Sequence, residues 1–138
     1  MDEGVIRFVG LTTHQRKLAA RRAERKDVSL LMIRYNAAHP GAERDIFPHL
    51  TAARPRIVLA YTATRWRKLL KRPKGWEGPV MTAADCYRFC LSSPHVHAVL
   101  GGPKSLAQLD ENLAGLHKGP VTEAEARWMR EYGRIVHG

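Results

Sequence analysis

Four short apolar runs recur along the chain, and each is followed by a stretch with helical character. The runs are Val5 to Leu11, Val28 to Ile33, Ile57 to Tyr61 and Val96 to Leu100. β-branched residues in these runs read as buried strands. After the first, Thr12-Thr13 offers a cap for a strongly basic helix from Gln15 to Lys26, broken at Asp27. After the second, Pro40-Gly41 marks a loop, and Ala42 to Leu50 reads as a short helix interrupted near Pro48. Thr62 to Gly78 is a long basic loop before a helix from Thr82 to Leu91, with Thr82 as cap and Asp85 complementing the N-terminal dipole. After the fourth, Gly101-Gly102-Pro103 turns the chain. Ser105 then caps a helix to about Leu116 that puts Leu106, Leu109, Leu113 and Leu116 on one face. Thr122-Glu123-Ala124-Glu125 has the form of a capping box and opens a final amphipathic helix to about His137.

Such alternation predicts an α/β fold with a parallel sheet and right-handed crossovers. Two arrangements satisfy it: a small open α/β sheet, or part of an eight-stranded (β/α) barrel of TIM type, which typically needs about 250 residues. By strand count, a chain of 138 residues is half such a barrel, four β-α units plus a C-terminal helix. Its length predicts a single domain over 1–138. No apolar run approaches the ~20 residues that span a bilayer, and the N-terminal residues lack a signal-peptide pattern. The expected compartment is the cytoplasm. Cys86 and Cys90 are the only cysteines, which excludes a disulfide framework.

Twenty-three Lys and Arg against thirteen Asp and Glu give a net charge of +10. That balance points to an anionic partner: a phosphorylated cofactor, nucleic acid or an acidic surface. Residues 54 to 74 hold eight basic side chains (Arg54, Arg56, Arg65, Arg67, Lys68, Lys71, Arg72, Lys74) and no acidic one, with Trp66 and Trp76 in or beside the run. Basic residues with interleaved aromatics bind single-stranded nucleic acid in some folds. The strand-helix alternation is not that of an RRM or OB-fold, which argues against that partner.

Polar residues gather where the strands end: Thr12, Thr13 and His14; Arg34, Tyr35 and Asn36; Tyr61, Thr62 and Arg65; Lys104 and Ser105. Barrels and open α/β sheets bind ligands at these ends. Gly101-Gly102-Pro103-Lys104-Ser105 leads into a helix, where backbone amides and Lys104 attract phosphate. The spacing is not that of a Walker loop or a dinucleotide-binding glycine motif. A tight strand-to-helix turn explains the same glycines. Cys86 and Cys90 share a helix face, and His95 and His97 one side of a strand. A zinc site needs four ligands, and the expectation for these residues is packing. No Ser-His-Asp set, acidic dyad or nucleophile elbow is present.

In this order the clusters resemble the C-terminal half of the aldo/keto reductases. Val5 to His14 is similar to that family's fifth strand and its polar end. Arg34-Tyr35-Asn36 is similar to the Tyr-Asn after the sixth strand. Ile57-Val58-Leu59-Ala60-Tyr61-Thr62 is similar to the seventh strand. Gly102 to Leu113 is similar to the stretch after the eighth, with Gln108-Leu109-Asp110-Glu111-Asn112-Leu113 as its most specific portion. The resemblance covers nearly the whole chain. It implies a (β/α)8 architecture and NADP or NAD as cofactor. It also implies Tyr61 as the ring stacked on nicotinamide, and Thr12 and Thr13 as the carboxamide-holding residues. Lys104, Ser105, Gln108 and Asn112 would lie along the adenosine phosphate and adenine.

The sequence departs from the family in three places. Thr13 stands for the usual Asn, Met32 for a Gln on the sixth strand, and Gln108 for an Arg that favours NADP. The family's catalytic Asp, Tyr, Lys and His belong to its N-terminal half, so the resemblance carries no catalytic residue onto this chain. Four strands leave two sheet edges unpaired. The expected partner is therefore a second copy or a complementing N-terminal half, with a small carbonyl substrate once complemented. The alternative is a non-catalytic interaction module or a truncated fragment, with the basic loop as an anion or nucleic-acid site.

Overall fold

The computed structural model describes residues 4–53 and 55–137. Its strands are β1 (Gly10–Thr12), β2 (Leu30–Arg34), β3 (Ile57–Tyr61) and β4 (Ala98–Val99). Its α-helices are α1 (Arg16–Ala23), α2 (Ala42–Asp45), α3 (Ala83–Leu91), α4 (Leu106–Leu116) and α5 (Glu123–His137), with 3-10 turns at Phe47–His49 and Lys68–Leu70. The strands form one parallel sheet in sequential order, β1-β2-β3-β4. The expected four β-α units and terminal helix are therefore present. Parallel pairing sets every strand's carboxyl end at the same end of the sheet.

Registered residues of a parallel sheet share a face. Leu31, Ile33, Val58 and Ala60 face the helices and are buried. Each large aliphatic side chain there contributes about 1.5–3 kcal/mol by leaving water. The opposite face holds the row Thr12, Met32, Leu59 and Ala98. Leu30, Met32 and Leu59 are only half-buried, and Ile57 is 52% exposed. In a closed barrel this face would be the interior.

The first strand is shorter than its apolar run. Val5, Ile6 and Phe8 precede the ladder and are 82%, 55% and 73% exposed. Among the described residues β1 has a neighbour on one side only, and its pairing begins where the Val9 carbonyl accepts from the Ser29 amide at 2.8 Å. The fourth strand contracts similarly, although amides of His97 and Leu100 continue bonding to Val58 and Ala60 of β3. The basic helix ends at Ala23, before the expected Lys26, and Thr12 does not cap it. Its N-cap is Gln15, whose amide donates to Thr13 Oγ1 at 3.0 Å.

The other caps match their residues. Thr82 and Asp85 form a reciprocal capping box on α3. Ser105 accepts from the Gln108 amide on α4. Thr122 and Glu125 exchange bonds at the start of α5. The leucine face of α4 is a different matter. Leu116 packs on the core, but Leu106, Leu109 and Leu113 are 79%, 38% and 47% exposed. The helix instead buries Asn112 and Gly115, the latter against Ala84 of α3. No element lies beyond β4 among the described residues to cover the leucines.

The core lies between sheet and helices, built on Tyr35, Phe47, Leu69, Met81, Phe89 and Tyr132 among others. α5 closes it, with Gly133 against the Ala37 carbonyl. Among the described residues no helix is long and apolar enough to cross a membrane.

Candidate functional site

Two polar groupings occupy the carboxyl end of the sheet. The first spans the ends of β1, β2 and β3. Tyr61 closes β3, and its hydroxyl lies 2.9 Å from His14 Nδ1, with the two rings edge to face at 5.7 Å. This contact crosses over β2, because the order is β1-β2-β3. Partial burial raises the Tyr61 pKa, while the Arg34 cation acts in the opposite sense. Thr12 is exposed, and Thr13 uses its hydroxyl on the Gln15 amide. His14, one of the polar residues after the first strand, is the one that joins Tyr61 here. Its signal was adjacency to Thr13 at a strand end.

The second grouping is a cleft of about 560 Å³ between the loops after β3 and β4. Lys104, Gln108 and Asn112 line it from one side, and Thr62, Thr64 and Arg67 from the other. That volume falls within the ordinary range for a small-molecule site. Ser105 stands beside it as helix cap, and Gln108 Oε1 accepts from the Lys104 amide at 2.8 Å. Asn112 is buried and Lys104 exposed. Among the described residues neither Lys104 nor Arg67 has an ion-pair partner. Glu111 also lines the cleft. Thr12, Thr13 and Tyr61 do not line it, so the seven expected residues divide between two places at one sheet end.

The loop after β3 is conformationally unusual. Thr62, Arg65, Trp66 and Arg67 all have positive φ, at 54°, 49°, 51° and 68°. Non-glycine residues rarely adopt that region, and a cluster of them needs surrounding contacts to hold it. Asn36 supplies one such contact by donating to the Thr62 carbonyl at 2.8 Å. Arg65 supplies another: its guanidinium donates to the carbonyls of Val136 and His137 at the end of α5. Arg65 is thus a helix-end cap and lies outside the cleft. The Thr62 hydroxyl is buried and has no hydrogen-bond partner. Burying a hydroxyl without a partner costs on the order of 1–3 kcal/mol.

The basic run does not present one face. Arg56 and Arg72 bond backbone carbonyls, the latter those of Trp76 and Gly78. Trp76 donates to the Pro79 carbonyl at 2.8 Å and packs edge-on against Tyr132. Trp66 is 65% exposed. Arg54 lies outside the described residues.

Cys86 and Cys90 are buried free thiols, and burial pushes Cys90 up to about 12. Cys90 donates to the Tyr35 carbonyl, and His95 stacks on Phe47. Among the described residues no group of three or more His, Cys, Asp or Glu could hold a metal ion.

No family model matches the sequence, and no curated protein matches it. Solved structures do. The aldo-keto reductase AKR11C1 from Bacillus halodurans superimposes in its holo form with a TM-score of 0.68 at 18% identity, over 95% of this chain and 51% of that one. Its apo form gives 0.69 and 52% of its length. A thermostable aldo-keto reductase, Tm1743, in complex with the inhibitor epalrestat gives 0.62 at 16% identity, over 95% of this chain and 50% of that one. The chain spans about half the length of these structures. Its fold is that of half an aldo-keto reductase barrel.

Proposed function

We propose that the chain is the cofactor-binding half of an NAD(P)H-dependent carbonyl/alcohol oxidoreductase of aldo/keto reductase type. The observation that carries this reading is the cleft after β3 and β4. It gathers Lys104, Gln108 and Asn112 opposite Arg67, on a loop whose Thr62 hydroxyl is buried without a partner.

The residues suit a dinucleotide. Arg67 and Lys104, which have no ion-pair partner among the described residues, favour phosphate oxygens, and the first turn of α4 presents backbone amides to them. Buried Asn112 offers an amide to a base edge. The Thr62 hydroxyl gains a partner if the loop shifts toward a bound phosphate. At the other grouping the Tyr61 ring supports a flat heterocycle, while Thr12 and Thr13 orient its amide. Glu111 lies on the cleft wall and Gln108 replaces the family's Arg, both of which weaken the preference for an extra phosphate. NADH is therefore bound at least as well as NADPH.

When bound, a reduced nicotinamide supplies hydride. In this reading the chain positions the cofactor, and the resemblance carries no proton donor for the carbonyl oxygen of a small carbonyl substrate onto its residues. We place the protein in the cytoplasm, where Cys86 and Cys90 stay reduced.

Titration of NADH and NADPH by their fluorescence tests the reading. The wild type should change the signal of both. The double variant Arg67→Ala/Lys104→Ala should weaken binding about tenfold to a hundredfold, as loss of two charge-assisted contacts predicts. Tyr61→Ala should remove most of the nicotinamide signal. An unchanged signal with saturating wild-type protein overturns the proposal.

A further inference from the structure

The two edges of the sheet are apolar in complementary places. At the β1 edge, Val5, Ile6, Phe8 and Val9 are 82%, 55%, 73% and 38% exposed. At the β4 edge, Leu100, Leu106, Leu109 and Leu113 are 48%, 79%, 38% and 47% exposed. Among the described residues each edge strand also has a partner on one side only, and such an edge is normally covered or paired. Between the edges, the face bearing Met32, Leu59 and Ile57 is half open to solvent.

The helices beside these edges differ in charge. α1 carries Arg16, Lys17, Arg21 and Arg22 and no acid. α4 carries Asp110 and Glu111 and no Lys or Arg. Asp110 stands one turn from both Leu106 and Leu113, so it flanks the exposed leucines. Among the described residues Asp110 has no ion-pair partner. An acidic, leucine-lined edge and a basic edge lined by Val5, Ile6, Phe8 and Val9 thus belong to the same chain.

We propose that two copies of this chain close edge to edge into one eight-stranded barrel, β4 and α4 of each against β1 and α1 of the other. A two-fold axis along the common strand direction keeps all strands parallel and makes both contacts identical. Four strands from each copy give the number that closes a (β/α) barrel whose interior side chains fill. Closure removes both edges at once and buries the row Thr12, Met32, Leu59 and Ala98. It sets α4 of one copy beside the basic α1 of the other. It also brings Thr12 and Thr13 of the second copy to the end of β4, next to the Gly101–Ser105 turn. The polar sheet end is then completed by both copies. The inference rests on the fold and its edges, and holds whether or not the cleft takes a dinucleotide.

Light scattering of the purified chain should give twice 15.6 kDa. Leu106→Lys/Leu113→Lys at one edge and Val5→Lys/Phe8→Lys at the other should each give a monomer with wild-type circular dichroism. Losing two apolar anchors weakens association on the order of a hundredfold or more. Mixing the two variants should restore association in part, because one of the two contacts then joins intact edges. Four results overturn the proposal. They are a wild-type monomer, a dimer indifferent to either pair, sensitivity at one edge only, and no recovery on mixing. A double variant that loses its circular dichroism is replaced by a single change at Leu106 or Val5, whose side chains lie in solvent.

Discussion

The Asn36 side chain donates to the Thr62 carbonyl at 2.8 Å, while its own carbonyl accepts from the amides of Ala38 and His39 at 3.0 and 2.9 Å. One fully buried amide thus ties the end of β2 to the left-handed residue that opens the cleft loop. Asn36→Ala removes three hydrogen bonds and leaves the Ala38 amide without its partner, while the Thr62 carbonyl keeps the Arg65 amide and the His39 amide keeps the Asn36 backbone carbonyl. The expected loss is about 3 kcal/mol in a urea melt. Asn36→Asp keeps the two acceptor contacts but removes the donor to Thr62. A loss under about 1 kcal/mol for the alanine change would show that the loop is held without Asn36.

Gly133 sits where α5 crosses the loop after β2. A Cβ built there would meet the Ala37 carbonyl oxygen at 2.2 Å. Backbone cannot yield as a flexible side-chain end does, so Gly133→Ala should lower stability by about 2–4 kcal/mol despite its better helix propensity. Gly102→Ala is the control, since nothing lies within 4 Å of its Cβ position. Thermal melts of the two should differ by more than about 5 °C.

Arg88 is a buried cation, and it holds the start of α5 on α3. It bonds both oxygens of Glu125 at 2.9 and 3.1 Å and donates to the Gly119 and Pro120 carbonyls. Arg88→Met takes these bonds from the Gly119 and Pro120 carbonyls and from Glu125, which keeps only the Thr122 amide on Oε2, and should destabilise the fold by about 3 kcal/mol. The Arg88 hydrogen bonds are the main cause that lowers Glu125 to about 2. A carboxylate so lowered contributes stability above its unfolded value near 4.5, and the contribution fades as pH falls toward 2. Glu125→Gln should flatten that part of the stability curve, as urea melts across the range would read.

His39 titrates in the neighbouring window. Burial first, and then the charges of Arg34, Arg65, His137 and Arg16, lower its pKa from 6.5 to about 4. The folded state keeps the ring neutral while the unfolded state takes a proton. Stability therefore falls as pH drops from about 6.5 to 4, and is restored above that window. His39→Gln should remove this dependence while keeping a donor toward Asn36 Oδ1, which lies 3.2 Å from His39 Nδ1. An unchanged slope between those pH values would place the titration elsewhere.

Local chemistry made much of the fold readable. Ile57 to Tyr61 is a strand over all its length because it is central, with neighbours on both sides and Val58 and Ala60 buried. The caps at Thr82, Ser105 and Thr122 follow from hydroxyls placed one residue before helices. Edge elements were less readable. Val5 to Leu11 has strand composition, but only Gly10–Thr12 finds a partner. The leucines of α4 have the spacing of a core face, yet burial depends on what lies opposite, which spacing does not carry. Lys104, Gln108 and Asn112, which the resemblance names together, line one cleft. The contribution of Thr62 and Arg67 depends on a left-handed loop for which no glycine or proline signals. Arg65 follows β3 as expected, but its capping of α5 has no local signal, since its partners lie more than seventy residues away.

Hydrogen exchange with and without saturating NADH or NADPH tests the account most directly, because it reads where the cofactor sits as well as whether it binds. The account predicts protection of the segments 62–67 and 102–112, with the start of α1 and the β1 end following. Protection confined to other segments, or none at saturating cofactor, would contradict it.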